Sequence, residues 1–309
     1  MSGRGRRMVA DEYTDKKRRR MTLTIENHIY RDGEGMPLVL VHGFPVDHRM
    51  WDRCATALME TTDAQELAQF PIWAPDMPGA GASPTPKPQD SGRIAEDGAY
   101  PQALDMVADA YVELLHAAGY RQAIWAGLSM GGYVVLDIQR RHPEAIAGVA
   151  LLDTKGDADS AQARANRIRI AHECVERHTT EPVMFFTDVQ PEDSSVKRSQ
   201  AYIDQFGTWI REQQPAGIAW RELMAAGRPD LNDQFARVEV PAAVICGVDD
   251  PSSSPKVMRP IADRMTGTDV MFTEIEDCGH FSAWERPQIV ADALLDLVAR
   301  VPRGVDEDR

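Results

Sequence analysis

The sequence predicts an α/β fold in which helices cover both faces of a mostly parallel, doubly wound sheet, with a helical insertion between two strands. Short apolar runs alternate along the chain with longer amphipathic stretches, as buried parallel strands and their crossover helices do. One long stretch, residues 154–238, replaces this alternation with helical patterns alone. A chain of 309 residues, 43% of them hydrophobic, is long enough for one such domain with an insertion.

The predicted strands are short apolar runs of the length that a strand buried on both faces requires. An opening stretch, residues 22–30, is expected to pair antiparallel at the start of the sheet. The parallel strands are predicted at residues 38–41, 72–74, 123–126, 148–152, 242–246 and 268–275.

Helices are predicted between these runs. Residues 102–118 place Leu104, Val107, Tyr111 and Leu115 on one helical face. Residues 83–101 are rich in proline, glycine and charge, and are predicted to be a surface loop. The other predicted helices are residues 49–59, 130–141 and 287–299.

The predicted domains follow from these patterns. Residues 1–20 are basic and are expected to form a solvated, disordered tail, the alternative being an arm that binds RNA or a membrane surface. Residues 21–153 and 239–309 form the α/β core, and residues 154–238 form a helical lid. No apolar stretch follows the basic residues, so a secretory signal is not expected.

The net charge, the apolar runs and the cysteines of the chain limit the kinds of partner that it is expected to bind. The net charge of −14 argues against nucleic acid, and no apolar run is long enough to span a bilayer. Four cysteines lie far apart without a CxxC pair, so a zinc site is unsupported and a reducing cytoplasm is expected. The Gly79-Ala80-Gly81 sequence lacks the spacing of a dinucleotide site, and we expect no cofactor and no metal.

The sharpest motif is Gly-Leu-Ser-Met-Gly-Gly at residues 127–132, between an apolar run and a helical pattern. A serine on such a strand-to-helix turn needs small neighbours, because the backbone is strained and closely packed there. The turn presents the Ser129 hydroxyl at the top of the sheet and points the Met130 amide at the same place. We therefore predict Ser129 as a nucleophile and Met130 as an oxyanion donor.

A second motif, His42-Gly43-Phe44-Pro45, directly follows the strand at residues 38–41. Acyl transfer needs two backbone donors at the developing oxyanion, and the loop after an earlier strand supplies the second one. The Phe44 amide is our candidate. His42 lies between a strand end and a glycine turn, and a structural role in that loop is favoured over catalysis.

The acid and base candidates also follow strands. Asp249 and Asp250 come after the strand at residues 242–246, and His280 comes after the last one. A base must reach the serine hydroxyl, and a carboxylate must fix the base's tautomer. His280 is the predicted base, and Asp153, at the end of another strand, is a reserve candidate for the acid.

From residue 21 onward the chain resembles the α/β-hydrolase superfamily. The resemblance rests on residues 42–45, the Ala-Pro-Asp-Met-Pro-Gly-Ala-Gly-Ala-Ser stretch at 74–83, the serine motif, residues 247–250 and Gly279-His280. It implies the α/β-hydrolase fold, the order Ser129, Asp250, His280, and Asp250 rather than Asp249 as the acid. Residues 43–51 and 127–132 resemble esterases and beta-ketoadipate enol-lactone hydrolases. Ser129 separates the chain from relatives with an aspartate nucleophile, such as haloalkane dehalogenases and epoxide hydrolases.

The expected function is that of a serine hydrolase that cleaves a small-molecule carboxylic ester through an acyl-enzyme on Ser129. Alternatives on the same residues are lactone opening, C–C bond hydrolysis and perhydrolysis. An alternative from another class is a non-catalytic, receptor-type binding module, which would be expected to have lost part of the triad.

Substrate contacts are expected from apolar side chains of residues 154–238. They favour a neutral or aromatic ester, while Arg164, Arg167, Arg169 and Arg211 leave an acidic substrate open. The alternative is that these apolar side chains only form the core of the insertion. The candidates are Met184, Phe185, Phe186, Trp209 and Trp220.

Overall fold

The structure is a computed structural model, and it describes residues 23–302. The predicted basic tail, residues 1–20, lies outside the described residues. Within them the strands form one seven-stranded sheet in the order β1-β3-β2-β4-β5-β6-β7, and only β1 runs antiparallel to its neighbour. The predicted fold class is confirmed. The strands are β1 (Asn27–Arg31), β2 (Leu38–Val41), β3 (Ile72–Pro75), β4 (Ala123–Leu128), β5 (Ile146–Leu152), β6 (Ala242–Gly247) and β7 (Val270–Ile275).

The register of the central strands brings their carboxyl ends to one edge of the sheet. Leu128 at the end of β4 lies opposite Leu152 at the end of β5, and Leu152 lies opposite Ile245 in β6. Every residue of β2 to β6 is buried, as expected for a sheet covered on both faces. The loops that follow these strands therefore converge, which is where ligands bind in open α/β sheets.

Helices connect the strands and cover the sheet. None of those between residues 23 and 302 is long and apolar enough to cross a membrane. The helices are α1 (Asp52–Ala64), α2 (Ala103–Ala117), α3 (Met130–Arg141), α4 (Ala161–Glu176), α5 (Gln200–Glu212), α6 (Pro215–Gly227), α7 (Pro255–Arg264), α8 (Ser282–Glu285) and α9 (Pro287–Arg300).

Two predicted elements differ from the structure, and one helix of the structure is not predicted from the sequence. The first strand begins at Asn27 rather than at residue 22, because pairing with β3 begins only there. The helix predicted at residues 49–59 is a 3-10 turn, His48–Trp51, followed by the longer α1. Helix α7 has no counterpart in the prediction, since Pro260 interrupts its sequence and only Met258 and Ile261 in it are buried.

The inserted segment, residues 154–238, is described in full and contains no strand. Helices α4 and α6 pack against each other, and α5 packs against a 3-10 stretch, Glu181–Thr187. The hydroxyls of Ser160 and Ser199 accept hydrogen bonds from backbone amides and cap α4 and α5. The segment leaves the sheet after β5 and returns to it at β6, two of the strands whose ends converge.

Candidate active site

Ser129 lies between β4 and α3 in a backbone conformation that few residues adopt. Its φ is 54° and its ψ is −114°. A non-glycine residue in such a region costs roughly 1–3 kcal/mol, so the surrounding structure must hold it there. The Ser129 amide donates to the carbonyl of Leu152 (2.9 Å), and its carbonyl accepts from the Thr154 hydroxyl (2.7 Å). The strain presents the hydroxyl at the edge where the strands end.

The glycines on either side of Ser129 are required by close backbone contacts. A Cβ at Gly127 would lie 2.3 Å from the carbonyl oxygen of Gly131. A Cβ at Gly131 would lie 2.1 Å from the carbonyl oxygen of Val41. Both distances are too short for any side chain, so the two glycines allow α3 to pack directly on β4 and β2.

Three side chains from separate loops form a continuous hydrogen-bonded chain. The Ser129 hydroxyl lies 2.8 Å from His280 Nε2, and His280 Nδ1 lies 2.8 Å from Asp250 Oδ2. Asp250 is fully buried, and the His280 side chain is 21% exposed. With its Nδ1–H donated to Asp250, the imidazole has Nε2 free to accept the serine proton, which is the geometry that activates a serine.

The charges within this hydrogen-bonded series shift the pKa values of both Asp250 and His280. Burial alone would raise the pKa of Asp250, but the charge of His280 and its hydrogen bond hold that pKa below the ordinary value. Burial alone would lower the pKa of His280, but Asp250, with a smaller contribution from Asp153, raises it above the ordinary value. Asp250 therefore stabilises the protonated form of His280, which is the form that the imidazole reaches when it accepts a proton.

The other two candidates for the acid, Asp249 and Asp153, occupy positions that differ from that of Asp250. Asp249 has no hydrogen bond to His280 among residues 23–302, and its backbone amide donates to Cys278. Asp153 is fully buried, and its carboxylate accepts from the amides of Gly247 and Ser282, both at 3.1 Å. Burial and the nearby charge of Asp250 raise the pKa of Asp153. Asp153 thus links the ends of β5 and β6 to the loop after His280.

Two backbone amides are available near Ser129. The amides of Phe44 and Met130 have no hydrogen-bond acceptor in the part of the chain that the structure describes. Phe44, Met130 and Ser129 line one cavity, and Met130 is the first residue of α3, whose N-terminus carries partial positive charge. Free donors of this kind suit an oxyanion, as the sequence predicts for Phe44 and Met130.

His42 has a structural position, as its place in the motif suggests. It is fully buried, its Nε2 accepts from the Met77 amide (2.8 Å) and its Nδ1 lies 2.9 Å from the Gly43 carbonyl. Burial lowers the pKa of His42 to about 4. A neutral imidazole therefore joins the loop after β2 to the loop after β3.

Arg221 of α6 joins the inserted segment to the Phe44 loop, and the sequence motifs do not point to it. Its guanidinium is fully buried and donates to the carbonyls of Val46 (2.8 Å) and Pro45 (3.3 Å) and to Gln213 Oε1 (3.0 Å). It also lies 5.5 Å from the centroid of the Phe44 ring. Burial lowers the pKa of Arg221 to about 10, so the cation is held at a real desolvation cost.

Glu285 holds the loop that carries His280, and sequence reasoning missed it too. Its Oε2 accepts from the Gly279 amide (2.8 Å) and from the Ser194 hydroxyl. Its Oε1 accepts from the Phe281 amide (3.3 Å). Glu285 lies in the four-residue helix α8, which is too short to show a periodic pattern that would point to a role for its carboxylate.

Within the described residues, Asp47, His48 and Asp76 are the one group close enough to share a metal ion. Their polar atoms are already bonded to protein groups. Asp76 accepts from the backbone amide of His48 (3.0 Å) and lies 2.9 Å from His48 Nδ1, and Asp47 accepts from Arg49 (2.8 Å). These contacts hold the three residues and Arg49 in ion pairs and hydrogen bonds, and all of them except Asp76 closely follow the Phe44 loop in the chain.

A cavity of about 470 Å³ opens at Ser129 and His280 and is lined partly by the inserted segment. Phe185 and Phe186 line it, with Phe186 edge-on to Phe44 at 5.9 Å between ring centroids. Phe185 is 49% exposed and stacks on Phe186. These two predicted contacts therefore lie at the cavity.

The other three predicted contacts do not line the cavity, which corrects the expectation for them. Trp220 is buried, and its indole N–H donates to the hydroxyl of Ser91 (2.7 Å), which is also buried. Trp209 is buried edge-on against Trp284, at 4.6 Å between ring centroids. Met184 is partly buried against the hydrophobic core. Large apolar side chains of an insertion must first fill its own core, and sequence periodicity alone does not separate the two faces.

Comparison with known proteins places this geometry in a family. The model of the alpha/beta hydrolase family matches residues 38–293. A curated relative, (E)-2-((N-methylformamido)methylene)succinate hydrolase of Acinetobacter baylyi, is 24% identical over 91% of this chain and 98% of its own length. Some further curated relatives align over less than half of their own length.

Solved structures share the fold of this chain. A thermophilic esterase from Thermogutta terrifontis superposes with a TM-score of 0.73 at 28% identity, covering 90% of this chain and 93% of the esterase. An enol-lactonase from Burkholderia xenovorans superposes with a TM-score of 0.71 at 23% identity, covering 89% and 96% of the two chains.

Proposed function

The chain belongs to the alpha/beta hydrolase family, and we propose that it is a serine hydrolase that cleaves carboxylic esters through an acyl-enzyme on Ser129. The observation that carries this proposal is the 2.8 Å contact between the Ser129 hydroxyl and His280 Nε2, together with the 2.8 Å contact between His280 Nδ1 and Asp250. The named relatives give coarser support, because an esterase and an enol-lactonase both act at an acyl carbon.

The proposed reaction begins when Ser129 Oγ attacks the ester carbon while its proton passes to His280 Nε2. The oxygen of the tetrahedral intermediate accepts from the Phe44 and Met130 amides. Collapse of the intermediate breaks the C–O bond, and His280 returns the proton to the departing alcohol. Water, deprotonated by His280, then attacks the acyl-enzyme and releases the carboxylic acid and free Ser129.

We propose that Asp250 keeps the imidazole of His280 in the tautomer with the proton on Nδ1 and stabilises its protonated form. The same groups would open a lactone, which is an ester whose acid and alcohol stay joined. Because one of the similar solved structures is named an enol-lactonase, lactone opening is the second candidate function.

A substrate panel tests the proposal. We expect purified protein to hydrolyse 4-nitrophenyl esters, and Ser129→Ala to reduce kcat by roughly a millionfold, as removal of the serine does in another serine hydrolase. Esters from acetate to octanoate are compared with an enol-lactone in the same assay. Undiminished ester hydrolysis by Ser129→Ala would refute the proposal, and turnover of the lactone alone would replace ester cleavage with lactone opening.

A further inference from the structure

The cavity at Ser129 has a basic wall, formed by Lys155, Arg167 and Arg228. All three line the same cavity as Ser129 and His280. They do so in a chain whose net charge is −14, so the basic wall runs against the composition of the molecule. Lys155 comes three residues after the end of β5, at the start of the inserted segment, and the two arginines lie further along that segment.

The carboxylates beside the basic wall, of which Asp159 lines the same cavity, leave one cation without a counter-ion. Arg167 pairs with Asp159 and with Glu222, the latter at 2.8 Å, and Arg228 pairs with Asp159. These two arginines and two carboxylates balance one another. Lys155 has no ion-pair partner within residues 23–302. One bound anion with a single charge would therefore neutralise the group.

Arg228 has donors left over for such an anion. Its side chain is only 8% exposed, yet its Nε–H has no acceptor among the described residues. A guanidinium carries five N–H donors, and Asp159 takes one of them. A buried donor without a partner costs about 1–3 kcal/mol, which a ligand oxygen would recover. Planar carboxylates fit the two-pronged edge of a guanidinium.

Arg228 also contacts the helix that follows Ser129. Its guanidinium lies over the Tyr133 ring, 3.8 Å from the centroid, and Tyr133 lies in α3, which begins directly after Ser129. Because Arg228, Tyr133 and Ser129 line the same cavity, an anion on Arg228 shares that cavity with the carbonyl that Ser129 attacks.

We propose that the substrate is an ester or lactone whose acyl part carries a carboxylate, bound by Arg228 and Lys155; this rests on the proposed serine hydrolase function. The carboxylate lies on the basic wall, and the apolar remainder of the molecule contacts Phe44, Phe186 and Phe281. The expectation of a neutral or aromatic ester, drawn from the apolar residues alone, is thereby replaced by that of an acidic substrate.

A matched pair of esters tests the proposal. 4-Nitrophenyl hemiglutarate carries a free carboxylate, and methyl 4-nitrophenyl glutarate has the same carbon chain with that charge masked. We expect wild-type kcat/KM to be at least about tenfold higher for the charged ester, since hydrogen bonds to charged groups are among the strongest. Lys155→Met is expected to remove most of this preference while the neutral ester changes by less than about twofold.

Lys197→Met is the matched control, because Lys197 also lines the cavity but is paired with Asp193 at 3.0 Å. It is expected to keep the preference for the charged ester. Arg228→Lys keeps the positive charge but loses the two-pronged edge, and is expected to lower the preference with less effect on folding than an apolar replacement. Equal kcat/KM for the two esters in wild type, or equal losses in Lys155→Met and Lys197→Met, would overturn the proposal.

A binding measurement separates this proposal from the hydrolase itself. Calorimetry on Ser129→Ala compares glutarate with its neutral diamide, glutaramide, with no turnover involved. Tighter binding of glutarate that Lys155→Met abolishes supports the anion site even if neither ester is cleaved, in which case the proposed function alone fails. Ester cleavage without preferential glutarate binding overturns the anion site alone.

Discussion

Asp250 and Asp249 are adjacent in the sequence, yet only one reaches His280. Asp250 is buried with its Oδ2 2.8 Å from His280 Nδ1, whereas the Asp249 side chain is partly exposed and makes no such contact within the described chain. We predict that Asp250→Asn lowers kcat by roughly 10⁴-fold, because an amide favours the wrong imidazole tautomer. Steady-state kinetics on a 4-nitrophenyl ester measures the loss.

Asp249→Asn is the control for this prediction, since it alters the neighbouring residue by the same chemical change. It is expected to stay within about threefold of wild type, as surface substitutions outside a site usually do. A larger loss in Asp249→Asn than in Asp250→Asn would mean that the acid is misassigned.

The pKa of His280 gives a second residue-scale prediction. Asp250 raises that pKa above the ordinary value of 6.5, and only neutral His280 accepts the serine proton. Activity should therefore be absent at low pH and should rise with pH through an inflection above 6.5. The kcat/KM profile measures the inflection, and Asp250→Asn is expected to move it to lower pH. An inflection at or below 6.5 in wild type would contradict the assignment.

At this scale the site candidates that the sequence offers are residues in short motifs, and the sequence gives no sign of residues that act through distant contacts. Ser129 and the Phe44 loop lie within glycine-containing turns whose spacing reflects local backbone geometry. Arg221 and Glu285 bond to loops 175 and 91 residues away in the chain. Nothing in a local pattern records such a partner, so only the folded chain identifies them.

Helix α6 is joined to the Phe44 loop through Arg221. Its Arg221 supplies donors to three groups of the Phe44 loop and the segment beside it, so the position of the Phe44 amide depends on the inserted segment. We predict that Arg221→Met lowers the free energy of unfolding by about 3–5 kcal/mol, because it leaves buried acceptors unpaired. It should also lower kcat more than it changes KM, since a displaced amide weakens binding of the oxyanion alone.

Arg211→Met, a change of the same kind at an exposed position of α5, is the control and is expected to alter neither quantity. Chemical denaturation and steady-state kinetics provide the two measurements. Wild-type stability together with wild-type kcat in Arg221→Met would show that the contact does not position the loop.

The aromatic side chains of the inserted segment separate into two groups that mutation can distinguish. Trp220 is buried away from the cavity, and Trp220→Ala is expected to cost about 3–5 kcal/mol of stability without changing the order of preferred esters. Phe186 lines the cavity, and Phe186→Ala is expected to change kcat/KM differently for short and long esters. Loss of stability is followed by thermal melting, and the ranking by an acetate-to-octanoate series. If Trp220→Ala changes the order of preferred esters and Phe186→Ala does not, the assignment of Phe186 to the cavity and of Trp220 to the buried side is wrong.

At the scale of the whole molecule, the site exists only because four separate stretches of chain meet at one edge of the sheet. β2, β4, β6 and β7 precede Phe44, Ser129, Asp250 and His280, and their parallel register aligns the ends. Apolar runs and their order made this assembly predictable. The inserted segment was predictable as helical but not in its packing, because its helices bury one face against one another and another against the core.

The charged N-terminal residues supply a prediction about the whole chain. A variant that begins at Met21 is expected to keep its activity and melting temperature, because every site residue and the entire sheet lie between residues 23 and 302. Residues 1–20 also carry too little apolar surface to offset the entropy of ordering them. Thermal melting and ester kinetics of the two forms make the comparison. A melting temperature lower by several degrees would show that these residues stabilise the fold.

The central claim, that Ser129 is a nucleophile activated by His280, is tested most directly by covalent labelling. A fluorophosphonate is incubated with the protein, and the adduct is located by mass spectrometry of its peptides. We predict one adduct per chain, on Ser129, lost in Ser129→Ala and formed far more slowly in His280→Ala. An adduct on another residue, or one that persists in Ser129→Ala, would contradict the account.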